Sequence, residues 1–133
     1  MLLLDASVWV AAGIPAHPSH GTAAPLVRGG VSVAALDLTL YEVANAVARQ
    51  YRQPEQAQRI VRAIIRTCGD EIARMDQALG EEVVKVVLEH GLTAYDAAYV
   101  AAARGNGWQL VSLDVRDLVS KGLAVTPDRA DYP

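Results

Sequence analysis

A chain of 133 residues has the size of one domain and can bury roughly two-thirds of the surface its unfolded form exposes. Apolar residues make up 52% and charged residues 20%, which excludes a disordered chain, and a net charge of −3 excludes a surface coated in positive potential for indiscriminate nucleic-acid binding. The single cysteine, Cys68, excludes an internal disulfide framework and fits a reducing, cytoplasmic setting with the thiol as a small buried apolar group.

Leu2–Leu4 is a short continuous apolar run ending on a carboxylate, the pattern of a strand buried on both faces of a parallel sheet, with Asp5 at its C-terminal end. The run lacks a basic leader and is interrupted by Asp5, so it reads as part of the mature fold rather than a secretory signal. No other stretch approaches the ~20 apolar residues that span a bilayer, and no membrane association is expected. Pro15, Pro18, Pro25 and Gly29-Gly30 break the next segment, leaving room for a short helix between residues 11 and 30. Val31–Leu36 predicts a second strand, with Asp37 or Thr39 capping a helix whose apolar period runs through Leu40, Val43, Ala44, Val47 and Tyr51.

Gln53-Pro54 opens another helix with proline at an early position, striped by Ala57, Ile60, Val61, Ile64 and Ile65 and ending near Thr67 to Gly69. Glu71–Met75 reads as a third strand, followed by a helix opened by Glu81-Glu82 and closed by His90-Gly91. Thr93 to Arg104 is a helix with Thr93 as N-cap, Asp96 at the capping-box position and Gly105-Asn106-Gly107 as the stop. Trp108–Leu113 is a strand that again runs into an aspartate, Asp114. Leu123–Val125 is a last short strand, and the DRADYP tail belongs on the surface. Strands alternating with helices predict an α/β domain with a mainly parallel sheet and right-handed crossovers.

Ligands of such sheets bind beyond the C-terminal ends of the strands. Asp5 and Asp114 are delivered to that edge by their strands, Asp96 by the start of the helix before the second of them, and Glu42 by the first turns of the helix after VSVAAL. Four converging carboxylates repel one another unless a positive group sits among them. A divalent cation with oxygen ligands, Mg²⁺ or Mn²⁺, answers that need, and one or two such ions would serve an in-line phosphoryl displacement. No cysteine cluster or histidine pair at ligand spacing supports zinc. Read singly, each acid has another explanation. Asp5 could only cap the following turn, Asp96 could only complete a capping box, Asp114 and Asp117 could be turn residues, and the helical wheel places Glu42 beside Arg49 on a solvated face.

LLLDASVWV, LTLYEVANAV, LTAYDAAYVAAA and LVSLDVRDL, in this order and spacing from residue 2 to about 118, resemble the PIN-domain nucleases, specifically the VapC-type toxins of prokaryotic toxin–antitoxin pairs. The resemblance implies a single PIN domain over residues 1–133 with a three-layer α/β/α architecture. It also implies a metal-dependent endoribonuclease that hydrolyses RNA with metal-activated water, leaving a 5′-phosphate and a 3′-hydroxyl. The family's acidic positions fall on Asp5, Glu42, Asp96 and Asp114, with Asp117 a further ligand candidate. Ser7 and Ser112 match small hydroxyl positions beside them. A VapB-type antitoxin covering the groove and a homodimer are implied partners, again through the resemblance alone.

Arg116, between Asp114 and Asp117, is expected to contact substrate phosphate or pair with a carboxylate. Arg59, Arg62 and Arg66 share one side of their helix and read as a solvated face, with phosphate contact the alternative. His17 and His20 read as loop residues without fixed geometry. Tyr95 and Tyr99, one turn apart, read as core packing, with base stacking the alternative, and Trp9 and Trp108 as core or interface. Competing functions are a PIN-fold RNA-binding or interaction module without activity and a phosphorelay receiver. The receiver would need a lysine near the end of a late strand, where neither Lys85 nor Lys121 falls.

Overall fold

Leu2–Leu4, all three buried, form β1 at the centre of a four-stranded sheet in a computed structural model that describes residues 1–132. With β2 (Val33–Leu36), β3 (Ile72–Ala73) and β4 (Gln109–Val111), the order is β3-β2-β1-β4 and every pairing is parallel. Leu2 sits opposite both Val33 and Gln109, and Leu4 opposite Val111. The helices are α1 (Ala6–Gly13), α2 (His20–Val27), α3 (Asp37–Val43), α4 (Pro54–Cys68), α5 (Gln77–His90) and α6 (Ala94–Asn106).

The period-two alternation of the strands divides the core. Leu2, Leu4, Val33, Ala35 and Val111 face one cluster with Val8 and Trp9 of α1, Leu26 of α2 and Ile60 and Ile64 of α4. Leu3, Ala34, Leu36 and Leu110 face the other, with Val83 and Val86 of α5 and Ala98, Tyr99 and Ala102 of α6. This is the expected three-layer α/β/α arrangement. The small side chains of α6 let it lie close to both α5 and the sheet.

Local chemistry sets the element ends. Asp76 caps α5 by accepting the Leu79 N–H at 2.8 Å, so the helix starts four residues before the acidic pair expected to open it. Thr93 caps α6 as expected, accepting the Asp96 N–H at 3.2 Å. Both helices stop at glycines in the left-handed region, Gly91 at φ +64° and Gly107 at φ +67°, where a Cβ would be strained.

Other elements differ from the sequence reading. The second strand begins at Val33 rather than Val31, and the third shrinks to Ile72–Ala73. The fourth spans Gln109–Val111 rather than Trp108–Leu113, because the backbone beyond Val111 turns to other partners: the Ser112 N–H goes to the Val125 carbonyl at 3.0 Å. Leu123–Val125 reduces to a single bridge between Val125 and Val111. Leu36, not Asp37 or Thr39, occupies the N-cap of α3. Past Val43 the helix widens into a π-helical stretch, Ala44–Gln50, closed by a bond from the Tyr51 N–H to the Ala46 carbonyl at 3.0 Å. The C-terminal tail is largely exposed through Tyr132; Pro133 lies outside the described residues. No helix among the described residues is long and apolar enough to cross a membrane.

From β1 the chain moves outward to β2 and β3, then returns to place β4 on the opposite side of β1. The strand order reverses between β1 and β4, so the crevice beyond their C-terminal ends is the switch point of this sheet.

Candidate active site

Asp5 follows β1 at that crevice and is 7% exposed. It caps the following turn and also stands at the ligand edge of the sheet. As N-cap of α1 its Oδ1 accepts the Val8 N–H at 3.3 Å, and each of its oxygens is also held by a serine hydroxyl, one from α1 and one from the segment after β4. Ser7 Oγ donates to Oδ1 and Ser112 Oγ to Oδ2, each at 2.5 Å. Each serine in turn accepts a backbone N–H from the segment leaving β4, Leu113 to Ser7 at 3.0 Å and Asp114 to Ser112 at 2.9 Å. Two relays of the same sense, N–H to hydroxyl to carboxylate, therefore stitch the end of β1 to the end of β4. A carboxylate offers about four lone-pair directions. Three are engaged here, leaving room for one further ligand.

Glu42 sits on α3, half-buried, at the end of a third relay. The Leu36 N–H donates to Thr39 Oγ1 at 3.0 Å, Thr39 Oγ1 lies 2.9 Å from Tyr99 Oη, and Tyr99 Oη donates to Glu42 Oε1 at 2.7 Å. Thr39 and Tyr99 are almost wholly buried, at 0% and 2% exposure, so the phenol of α6 aims a carboxylate of α3 from inside the core. The wheel placed Glu42 on a solvated face. Arg49 on that face is exposed, but Glu42 itself is half-buried and meets Tyr99 and the charge of Asp96.

Asp96, Asp114 and Asp117, all half-buried, bring carboxylate oxygens within 4.8 Å of one another. Asp96 is carried there by the first turn of α6, whose dipole favours a negative charge at that position. Asp114 caps the short π-helical turn Val115–Val119 by accepting the Asp117 N–H at 2.9 Å, which brings the two aspartates of the DVRD segment together. Asp5 and Glu42 stand outside this trio but border it. The charges of Asp5 and Glu42 are felt by one another, as are those of Glu42 and Asp96.

Burial pushes the Asp5 carboxyl up to about 6, against the lowering effect of Ser112, Ser7 and the Val8 N–H, with Glu42 adding repulsion. Glu42 is raised by burial and by Asp96, and the Tyr99 hydroxyl pulls it down. Asp96 is raised by burial and by Asp114 and Asp117, with Lys121 the opposing cation. Among the described residues none of the five acids takes part in an ion pair; the salt bridges join Lys85 to Glu82 and both His90 and Arg104 to Glu89. A concentration of oxygen donors, mutually repelling and short of a cation, fits a hard divalent metal and offers nothing to a soft one. Arg116 is exposed on the turn between Asp114 and Asp117 and makes no ion pair with either.

Thr39 and Tyr99 were not identified as site residues from sequence. Their three-residue and helical spacings match core packing equally well, and only the meeting of α3 with α6 reveals the relay. Of the Tyr95 and Tyr99 pair, Tyr95 is 63% exposed and Tyr99 is core. Trp9 is buried against α4, and Trp108 is half-buried beside α6. The histidines of HPSH are fixed rather than mobile. His17 Nδ1 accepts the Ser19 N–H at 3.0 Å, and His20 Nδ1 lies 2.9 Å from the Ala11 carbonyl.

A parallel α/β/α sandwich with acids gathered at its switch point is the arrangement of the PIN domain. Residues 2–120 match the PIN domain family model, and the chain belongs to that family, which sets aside the receiver reading. It is 36% identical to Ribonuclease VapC3 of Pyrobaculum aerophilum over 95% of this chain and 98% of that protein. Its fold matches Mycobacterium tuberculosis VapC20, described as a Sarcin-Ricin loop cleaving toxin, with a TM-score of 0.75 at 22% identity over 92% of this chain and 95% of that one. It also matches a toxin–antitoxin complex from Klebsiella pneumoniae, with a TM-score of 0.69 at 21% identity over 96% and 98% of the two chains.

Proposed function

We propose that this chain is a divalent-metal-dependent endoribonuclease, the toxin of a VapBC-type pair, acting in the cytoplasm with Mg²⁺ or Mn²⁺. The observation that carries the reading is the convergence of Asp96, Asp114 and Asp117 within 4.8 Å, bordered by Asp5 and Glu42, at the switch point of the sheet. The kinship with a named ribonuclease at 36% identity gives that convergence its chemistry. Asp96, Asp114 and Asp117 would hold the cation, with Asp5 and Glu42 completing its surroundings. A bound divalent ion supplies a more acidic water and neutralises charge on the phosphodiester.

The chain's own contribution is orientation. Ser7 and Ser112 keep both oxygens of Asp5 directed, Tyr99 does the same for Glu42, and the Thr93 cap fixes the start of the helix bearing Asp96. Water activated by the bound ion would be the nucleophile, and no protein–RNA intermediate is needed. Arg116 lies exposed at the mouth, where it would meet substrate phosphate. Arg116→Ala is expected to raise KM for RNA about fivefold, as for one exposed charge-assisted contact of ~1 kcal/mol, with kcat and melting temperature unchanged. An unchanged KM removes that role.

A VapB-type antitoxin and a second copy of the chain complete the proposed assembly; the likeness to a toxin–antitoxin complex supports the first. The test of the whole reading is cleavage of a defined RNA with Mg²⁺ or Mn²⁺ by the wild type, by Asp96→Asn and in EDTA. Cleavage is expected only in the first case. Undiminished cleavage in EDTA or by Asp96→Asn overturns the metal-site assignment.

A further inference from the structure

Next to the carboxylates, on the side of Ser7 and Glu42, opens a cavity of about 720 Å³. Its walls come from α1, the loop before α2, the π-helical stretch and the C-terminal segment around Pro127. We propose that this cavity is a nucleobase subsite, seating a base that carries an exocyclic amino group next to the phosphate held at the acidic site. The inference rests on the nuclease reading and adds to it the part of the substrate that is read.

No lysine or arginine lines the cavity, so a phosphate has no partner there, whereas the uncharged edge of a base does. Asn45 and Gln50 each offer an amide donor and acceptor, His17 an imidazole, and Asp128 a carboxylate, while Tyr51 and Pro127 supply flat apolar surface. Single-stranded RNA is recognised in this way, by stacking together with hydrogen bonds to base edges. The volume falls in the range of roughly 300–1,000 Å³ that small-ligand sites occupy. Ser7 and Glu42 line the cavity as well as the acidic site, so a strand whose phosphate lies at one passes directly into the other.

The backbone gives an independent reason. Asn45 and Gln50 are five residues apart, a spacing that in an α-helix would turn them about 140° from each other. The π-helical widening of Ala44–Gln50, with its i→i+5 hydrogen bonds, narrows that angle, and both amides lie on the cavity wall. His17 is oriented too, since the Ser19 N–H occupies Nδ1 and leaves the neutral ring's proton on Nε2. The Asp128 carboxylate in the lining is an acceptor only, which suits the amino groups of adenine, cytosine or guanine and opposes the O4 carbonyl of uracil. Thr126, Pro127 and Asp128 lie beyond residues 2–120, the part matched by the family model, so this wall belongs to the chain's own C-terminal segment.

The test uses nucleosides, which have no phosphodiester, and full-length isotope-labelled protein in EDTA, so its outcome is separable from cleavage. Adenosine and cytidine are expected to shift the side-chain amide signals of Asn45 and Gln50, with dissociation constants about tenfold below that of uridine. Asp128→Asn, an exposed position, is expected to abolish that preference while the chain stays folded. Equal binding of uridine by the wild type, or no movement of either amide, overturns the proposal. So does movement produced only by a lysine- and arginine-rich peptide, which would make the cavity a protein-binding groove. If the wild type cleaves no RNA when Mg²⁺ or Mn²⁺ is supplied, while nucleosides still bind, the nuclease reading is overturned instead.

Discussion

Asp5→Asn is expected to silence cleavage and at the same time to make the metal-free protein harder to unfold at neutral pH. Burial lifts the Asp5 carboxyl from 3.8 to about 6, so between those values the folded chain holds a proton that the unfolded chain has released. The sign follows directly. The stability associated with this group is fully present below about pH 4 and is lost as pH rises through 6. At pH 7 the ionised carboxylate costs the metal-free fold ~3 kcal/mol, one pKa unit being worth about 1.4 kcal/mol. Asparagine removes that charge. It also puts an amide N–H where Ser112 now donates, giving back ~1 kcal/mol, so a net gain of ~1–2 kcal/mol is expected at pH 7 and none at pH 4. Urea unfolding in EDTA at both pH values measures it. Added Mn²⁺ should stabilise the wild type at pH 7 more than Asp5→Asn, since only in the wild type does the cation also offset the ionised carboxylate of Asp5. A variant less stable than the wild type at pH 7, or equally stabilised by Mn²⁺, would sink the account of Asp5 as a strained metal-site acid.

Much of this site was legible because the residues that build it are local to strand ends. A run such as LLL followed by Asp5 carries its acid to the ligand edge whatever the rest of the chain does, and Thr93 with Asp96 declares a helix start by spacing alone. Features set by contacts between distant segments were not legible. Tyr99 serves Glu42 across 57 residues, and Ser112 serves Asp5 across 107; neither pairing has a period or a composition to betray it. Periodicity failed for Glu42 for a related reason. A helical wheel separates polar from apolar faces but cannot tell water from a crevice full of carboxylates. It failed again past Val43, where the π-helical widening changes the period itself and carries Asn45 and Gln50 to one wall. The strands β2 and β3 were overestimated because apolar residues beside them lie outside the ladder: Val31 is followed by exposed Ser32, and Glu71, Arg74 and Met75 are exposed on either side of Ile72–Ala73. The histidines of HPSH read as loop residues without fixed geometry, whereas His17 holds the turn through the Ser19 N–H and His20 lies against the Ala11 carbonyl of α1.

Tyr99→Phe isolates the relay from the acids it serves. The substitution keeps the ring that fills the core and removes only the hydroxyl, leaving Thr39 Oγ1 with the Leu36 N–H alone and Glu42 without the Tyr99 donor. Loss of these buried bonds is expected to cost ~1–2 kcal/mol of stability. The effect on activity should be larger, a fall of about 10- to 100-fold in kcat/KM, because a carboxylate that borders the proposed metal site is no longer aimed. Stability alone could not distinguish this from a packing defect; the pH profile can. The Tyr99 hydroxyl holds the Glu42 carboxyl down against burial and the charge of Asp96, so its removal lets that carboxyl rise further. The acid limb of the cleavage profile should therefore move to higher pH in Tyr99→Phe. Thr39→Val, which leaves the Tyr99–Glu42 bond in place, should move it much less. If the acid limb of Tyr99→Phe coincides with that of the wild type, Tyr99 is a core residue and Glu42 is positioned by something else.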